Sequence, residues 1–196
     1  MKNLLWIVCI IFLSVISCSK SPKENLITED YKFFNLAVDD GWKSKRINQY
    51  INNINYTATE VPLHYYILKD NQNFEPKKVD SIFKLHKNER IVEIEFSHDE
   101  EKELLLKNFT NMSYDKAVEY MAFKIQKDFK VITSSKDTIV CSGALFERNF
   151  KVAPFKRALL YFGNIPETDN IQLLYNDQLF GNGIIKFNFK STPLKL

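Results

Sequence analysis

The chain has 196 residues, of which 45% are hydrophobic and 14% are aromatic, and its formal net charge at pH 7 is +3. A chain of this size and composition can bury a substantial core, so the composition excludes a disordered protein. The small net charge argues against nucleic-acid binding, because nucleic-acid binders concentrate positive charge in a strongly basic domain.

The first eighteen residues have the pattern of an export signal. A positive amino terminus with Lys2 precedes an apolar run from Leu4 to Ile16, which is broken only by Ser14. A helix of this length spans about 20 Å, whereas the hydrocarbon core of a bilayer is roughly 30 Å thick. We therefore expect a signal peptide rather than a transmembrane anchor.

The segment Val15-Ile16-Ser17-Cys18 at the end of this run resembles the lipobox of bacterial lipoproteins. That pattern has an aliphatic residue, a tolerant position, a small residue and a cysteine, and the resemblance covers these four positions only. It implies that a diacylglyceryl group is attached to the Cys18 thiol and that a peptidase cleaves between Ser17 and Cys18. An ordinary secretory signal that is cleaved near Ser17 is the alternative.

The lipobox resemblance divides the chain into three parts. Residues 1–17 are expected to be a cleaved signal peptide, 18–25 a lipidated cysteine with a polar, flexible tether, and 26–196 a single globular domain. Two or three acyl chains on Cys18 would make membrane attachment effectively permanent. In one bacterial sorting scheme an aspartate after the cysteine retains a lipoprotein in the inner membrane. Ser19 occupies that position, so the outer membrane is preferred, on either its periplasmic or its surface side.

Apolar spacing, caps and turn residues predict the secondary structure of the first half. Apolar residues three or four positions apart, together with helix start and stop signals, predict helices over 28–38, 43–54, 76–85, 97–108 and 113–125. The fourth of these begins at Ser97-His98-Asp99-Glu100, which has the form of a capping box. Aromatic and β-branched residues predict strands over 61–69 and 90–96.

From Phe129 onward the apolar period changes to two. It predicts strands over 129–134, 138–149, 156–163, 171–176 and 184–190, with hairpin-type turns at 135–137 and 181–183. Because most helices precede this run of strands, the sequence predicts an α+β fold. We expect an antiparallel β-meander from the C-terminal half to pack against two or three helices from the N-terminal half.

The familiar catalytic and metal-binding motifs are absent from the sequence, and we predict no catalytic residue, no metal site and no cofactor. His64, His86 and His98 include no pair with the spacing of metal ligands on one helix. His98 does lie beside three carboxylates at 99–101, with Glu93 and Glu95 just upstream. We interpret the acids as the start of a helix, with metal or acid–base chemistry as the alternative.

Cys141 is the one thiol that remains outside the signal peptide once Cys18 is lipidated. An intramolecular disulfide is therefore impossible in the mature chain, even though an exported protein meets an oxidising compartment. The residue lies in an apolar, strand-like run, so we expect a buried and unreactive thiol.

Four basic residues flank a predicted turn at 152–154. If two strands pair across this turn, the four side chains lie close together, with Phe150 and Phe155 beside them. Arginine forks bind carboxylates and phosphates, and aromatic rings act as contact anchors. The sequence thus predicts a partner or anion contact; the alternative is a solvated hairpin whose lysines protect a sheet edge. The residues concerned are Arg148, Lys151, Lys156 and Arg157.

Together these observations predict a membrane-anchored lipoprotein of the cell envelope. The sequence favours a non-enzymatic binding or accessory module that contacts the membrane through the lipid on Cys18 and meets an envelope protein, glycan or lipid. One alternative is a carrier that holds an apolar ligand in a cavity lined by phenylalanine. Another is an enzyme with a site that its sequence does not reveal.

Overall fold

Nine strands and four helices make up the part of the chain that the computed structural model describes, which is residues 45–70, 76–149, 152–166 and 168–189. The first half contains β1 (Lys45–Ile51), β2 (Ile54–Val61), α1 (Leu63–Asp70), α2 (Pro76–His86), β3 (Arg90–His98), α3 (Lys107–Thr110) and α4 (Tyr114–Phe123). A 3-10 turn (Ile125–Asp128) is followed by β4 (Phe129–Ile132), β5 (Thr138–Val140), β6 (Gly143–Glu147), β7 (Phe155–Phe162), β8 (Ile171–Asp177) and β9 (Gly183–Phe189).

The predicted α+β fold, with antiparallel strands concentrated in the C-terminal half, is confirmed. Six of the nine strands begin at or after Phe129, and every strand pair is antiparallel. These strands are shared between two sheets, because β7 pairs with β3 and β4 pairs with β8. The first sheet has the order β1-β2-β3-β7-β6 and the second the order β5-β4-β8-β9. The helices predicted from Pro76 and after Ser113 and the strand predicted from Arg90 are also confirmed.

The core lies between the two sheets. Ile94 and Phe96 of the first sheet are fully buried in one cluster with Leu173 and Tyr175 of the second. The Tyr175 ring stacks on Phe129 at 4.3 Å and lies 5.8 Å from the Phe96 ring. Each such side chain contributes roughly 1.5–3 kcal/mol by leaving water, so this layer is the main source of stability. Helix α4 adds buried alanine and methionine side chains to the same cluster.

The prediction of a helix over 43–54 is wrong, because strands β1 and β2 form a hairpin there. Ile47 and Ile51 are four residues apart, a spacing that fits one face of a strand as well as one face of a helix. The turn is Asn52-Asn53, with φ angles of 50° and 64°. Asparagine tolerates this left-handed conformation, which the favoured two-residue hairpin turn requires.

The prediction of a strand over 61–69 is also wrong, since Leu63–Asp70 is helix α1. Its β-branched and aromatic residues pack as a helix on the outer face of the first sheet. Tyr66 is buried there in a second small cluster with Val61, Ile91 and Leu159. Tertiary packing therefore outweighs the strand propensity of these residues.

The predicted helix over 97–108 is replaced by the end of a strand and a loop. Ser97 and His98 are the last residues of β3, and Glu101 has a φ of 53°, which interrupts a right-handed helix. The Glu100 amide, which a capping box would bond to the Ser97 hydroxyl, donates to Nδ1 of His98 at 3.0 Å instead. Helix structure in this region is limited to the short α3. The predicted helix over 28–38, the signal peptide and the tether lie outside the described residues.

Asp177, the last residue of β8, joins the two sheets. Its buried carboxylate accepts from the Tyr56 hydroxyl of the first sheet at 2.7 Å and from the Tyr175 hydroxyl at 3.0 Å. It also accepts from the backbone amides of Leu179, Phe180 and Asn182 at 3.0, 2.9 and 3.2 Å. Burial raises the pKa of both tyrosines well above the ordinary value, so their hydroxyls stay protonated and donate. Five donors thus satisfy a buried charge that would otherwise be costly.

His64 of α1 is buried against α2. Its ring stacks on the Phe83 ring with a centroid separation of 3.7 Å, and its side chain is 5% exposed. Burial lowers the pKa of His64 below the ordinary value of 6.5, and the charge of Asp80 offsets part of this effect. The contact between the two helices therefore depends on a neutral imidazole.

Replacement of His64 by phenylalanine should reduce the pH dependence of stability. The unfolded chain takes up the imidazole proton at a higher pH than the folded chain. The contribution of the neutral His64 imidazole to stability is thus complete above about pH 6.5, and it is lost as the pH falls toward the lower pKa of the folded state. Urea unfolding from about pH 7.5 to about pH 5 should show a larger loss for the wild-type protein than for His64→Phe. His86→Phe, at an exposed histidine, is the matched control, and equal losses in wild type and His64→Phe would contradict this account.

Candidate functional site

The face of the first sheet that points away from the core carries Arg157, one of the four basic candidate residues, together with Glu93 and Glu95. Side chains alternate along each strand, so residues two apart share this face. Helix α1 covers the end of the face near Val61 and Ile91. We call the remainder the polar sheet face, which includes Arg46, Asn48, Tyr50, Asn55, Thr57, Thr59, Glu93, Glu95, Ser97, Glu147, Phe155 and Arg157.

Arg157 lies among three carboxylates on the polar sheet face. The strand register places it opposite Glu95 on one side and Glu147 on the other. Its guanidinium is 2.7 Å from Glu95, 3.5 Å from Glu147 and 3.8 Å from Glu93. Partial burial works to lower the pKa of Arg157, but the hydrogen bond to Glu95 and the three negative charges raise it overall. One guanidinium and three carboxylates thus hold one another in place, and this group of four side chains carries more negative than positive charge.

The hairpin predicted around 152–154 is present as the β6–β7 pair, but it does not gather the basic side chains on one surface. Lys156 is buried on the core side, 2.9 Å from Glu103 and 2.9 Å from Asn149. Arg157 points to the opposite face, because consecutive strand residues alternate. Arg148 is exposed just beyond β6, and Lys151 lies outside the described residues. A role of the four residues in anion or partner contact stays a prediction, and two of them are already paired with carboxylates.

An open depression of about 310 Å³ lies at the end of the polar sheet face. The register aligns Tyr50, Asn55, Ser97 and Phe155 in one row across β1, β2, β3 and β7. Adjacent strands are about 4.8 Å apart, so the two aromatic residues are roughly 14 Å apart at the backbone. The shorter Asn55 and Ser97 side chains form the floor between them. The remaining lining residues are Glu95, His98, Asp99, Glu101 and Pro154.

The depression combines aromatic walls with negative charge. The Tyr50 hydroxyl donates to Asp99 at 2.5 Å, and this hydrogen bond raises the pKa of Tyr50. On the other side, the Arg157 guanidinium lies 4.8 Å from the centroid of the Phe155 ring, a cation–π distance. Three of the described lining residues are carboxylates, and none is lysine or arginine. Such surroundings favour a positively charged group.

His98 borders the depression, but its ring lies on the other side of the sheet. His98 is two residues after Phe96 in the same strand, so both side chains point toward the core, and His98 is 9% exposed. Its Nδ1 accepts from the Glu100 amide, and its ring meets the Phe109 ring edge-on at 5.3 Å. Within the described residues, no group of three or more histidine, cysteine, aspartate or glutamate side chains is arranged to hold a metal ion.

Cys141 follows β5 and is half-buried. Its thiol donates to the Gly143 carbonyl at 3.0 Å, and burial raises the pKa of the thiol above its ordinary value of 9.0. A raised pKa lowers the fraction of reactive thiolate. The sequence prediction of an unreactive thiol agrees with this environment, although the side chain is less buried than predicted.

Comparisons with known proteins provide no family for the chain. No protein-family model matches it, and no curated protein matches it. A comparison with solved structures found a match to the crystal structure of a novel protein of unknown function from Burkholderia pseudomallei, with 9% sequence identity and a TM-score of 0.33. The match covers 72% of this chain and 77% of that chain. Among the described residues, no helix has the length and apolar character needed to cross a membrane.

Proposed function

We propose that this protein is a lipid-anchored lipoprotein of the cell envelope whose folded domain is a non-enzymatic binding module. The observation that carries the binding role is the polar sheet face, where charged groups are held in place by one another beside a depression with aromatic walls. Groups that are already ordered lose less conformational entropy when a partner binds. Tyr50, which is 54% exposed, and Arg157 belong to the residue types that most often anchor interfaces.

The membrane location of this module rests on the lipobox resemblance at Val15-Ile16-Ser17-Cys18. Acyl chains on Cys18 would hold the domain at the membrane surface, and Ser19 favours the outer membrane. The polar tether after Cys18 reaches at most about 23 Å when it is fully extended. A partner of the domain would therefore be an envelope component close to the same membrane.

The other two functions suggested by the sequence have weaker support. Phe96, Phe129 and Phe187 are buried in the core between the sheets and are at most 1% exposed. They occupy the space that an apolar ligand of a carrier would need. For an enzyme, the imidazole of His98 would have to reach the carboxylates of the depression, and it lies on the opposite side of the sheet.

Replacement of Cys18 by alanine should remove the membrane anchor. Cells fed an alkyne analogue of palmitate should label the wild-type protein, which should fractionate with membranes, because acylation begins with attachment of the diacylglyceryl group to the Cys18 thiol. The Cys18→Ala variant should be unlabelled. Cys9→Ala, which changes a cysteine inside the apolar run, is the matched control and should behave as wild type. Labelled Cys18→Ala protein in the membrane fraction would refute the anchor.

Photo-cross-linking in intact cells should locate the binding surface. A photoreactive residue in place of the exposed Asn48 lies on the polar sheet face, and one in place of the exposed Asn176 lies on the outer face of the second sheet. We expect a discrete cross-linked product from position 48 and none from position 176, because a preorganised surface binds a partner more tightly than a merely solvated one. Identical products from both positions, or none from position 48, would contradict the binding role of this face.

A further inference from the structure

We propose that the depression at the end of the polar sheet face binds an arginine side chain of a partner protein. The inference rests on the proposed binding function and names the chemistry of the group that is bound. Its three supports are a bound arginine in the neighbouring row of the same face, the charge of the lining residues, and the dimensions of the depression.

The polar sheet face already binds one arginine of its own chain. Arg157 lies against the Phe155 ring at 4.8 Å and is 2.7 Å from the Glu95 carboxylate. Both Phe155 and Glu95 also line the depression, so they separate the bound arginine from it. The depression repeats the same combination one row further along the strands, with Tyr50 as the ring and Asp99 as the carboxylate. A planar guanidinium is suited to both contacts, because it stacks on rings and forms paired hydrogen bonds with carboxylates.

The described residues that line the depression carry a net negative charge. Glu95 is paired with Arg157, whereas the partner that the described residues provide for Asp99 is the neutral hydroxyl of Tyr50. Glu101 adds a third carboxylate on the exposed rim. An anionic ligand would be repelled by these groups, and a neutral ligand would leave them uncompensated. One arginine would supply the missing positive charge.

The dimensions fit a single side chain that is presented on a partner surface. The depression of about 310 Å³ is at the small end of the range for ligand sites, and it lies beside Pro154 and the residues that directly follow β3. Asn55 and Ser97 on the floor offer an amide and a hydroxyl as additional hydrogen-bonding groups. An open site of this kind admits a side chain that remains attached to a folded partner.

Titration with short peptides tests the assignment. The probe is acetyl-Gly-Arg-Gly-amide, and its neutral counterpart carries citrulline in place of arginine. Both are added to the full-length lipidated protein in non-ionic detergent micelles, and binding is followed by NMR. We expect the arginine peptide to shift the amide signals of Tyr50, Asn55 and Ser97 in a saturable manner. It should bind about tenfold more tightly than the citrulline peptide.

Substitutions in the depression provide the second arm. Asp99→Asn combined with Glu101→Gln should weaken arginine-peptide binding about fivefold or more while it leaves the unfolding transition close to wild type, because both side chains are at the surface. Glu119→Gln, which changes an exposed carboxylate on α4, should leave binding unchanged. Equal affinity for the two peptides, or an unchanged affinity in the double variant, would overturn the proposal.

Two further results distinguish a partner arginine from a free amine, and the arginine assignment from the proposed binding function. Spermidine that binds the same residues more tightly than the arginine peptide would assign the site to a free amine and overturn the partner arginine. If neither peptide binds but photo-cross-links from position 48 persist, the arginine assignment fails and the proposed binding function stands. If those cross-links are absent while the arginine peptide binds, the partner-binding function fails instead.

Discussion

The carboxylate of Asp177 is the interaction on which the arrangement of the two sheets depends. It ends a strand of the second sheet, accepts a hydrogen bond from Tyr56 in the first sheet, and holds the turn to β9 through three backbone amides. Without this acceptor, two buried hydroxyls and three amides would lose their partner, and each unsatisfied group costs about 1–3 kcal/mol. One side chain therefore contributes both a hydrogen bond between the sheets and the acceptor that holds the local hairpin.

The packing of the two sheets also determines which face is available for the proposed binding role. Because the sheets bury their facing sides, the alternation along β2, β3 and β7 places every second residue on the opposite, polar side. Glu95, Arg157 and Phe155 reach that side from strands that are far apart in sequence but adjacent in the sheet. A shift of one residue in register would turn Arg157 toward the core and Lys156 toward the polar sheet face. The pairs Arg157–Glu95 and Lys156–Glu103 would both be broken. The proposed binding surface is thus a consequence of the core.

The periodic parts of the sequence predicted the fold class, because the strands after Phe129 alternate clearly and α4 has a regular apolar face. The failures have specific physical causes. The spacing of Ile47 and Ile51 fits both a helix and a strand, and the Asn52-Asn53 turn favours the strand hairpin. The capping box failed because His98 supplies the acceptor that Ser97 was expected to provide. The depression could not be predicted, since Tyr50 and Phe155 are brought together only by pairing across four strands. Lys156 and Arg157 were recognised as candidates, but their remote carboxylate partners were not.

Native-state hydrogen exchange tests the role of Asp177 most directly. The amides of Leu179, Phe180 and Asn182 lie in a connection between strands, where backbone groups normally exchange with solvent quickly. If the buried carboxylate of Asp177 holds this connection in place, these amides should exchange as slowly as those of the central strand β8. They should become much faster in the Asp177→Asn variant, which loses the charge of the acceptor. Fast, loop-like exchange of all three amides in the wild-type protein would contradict the account.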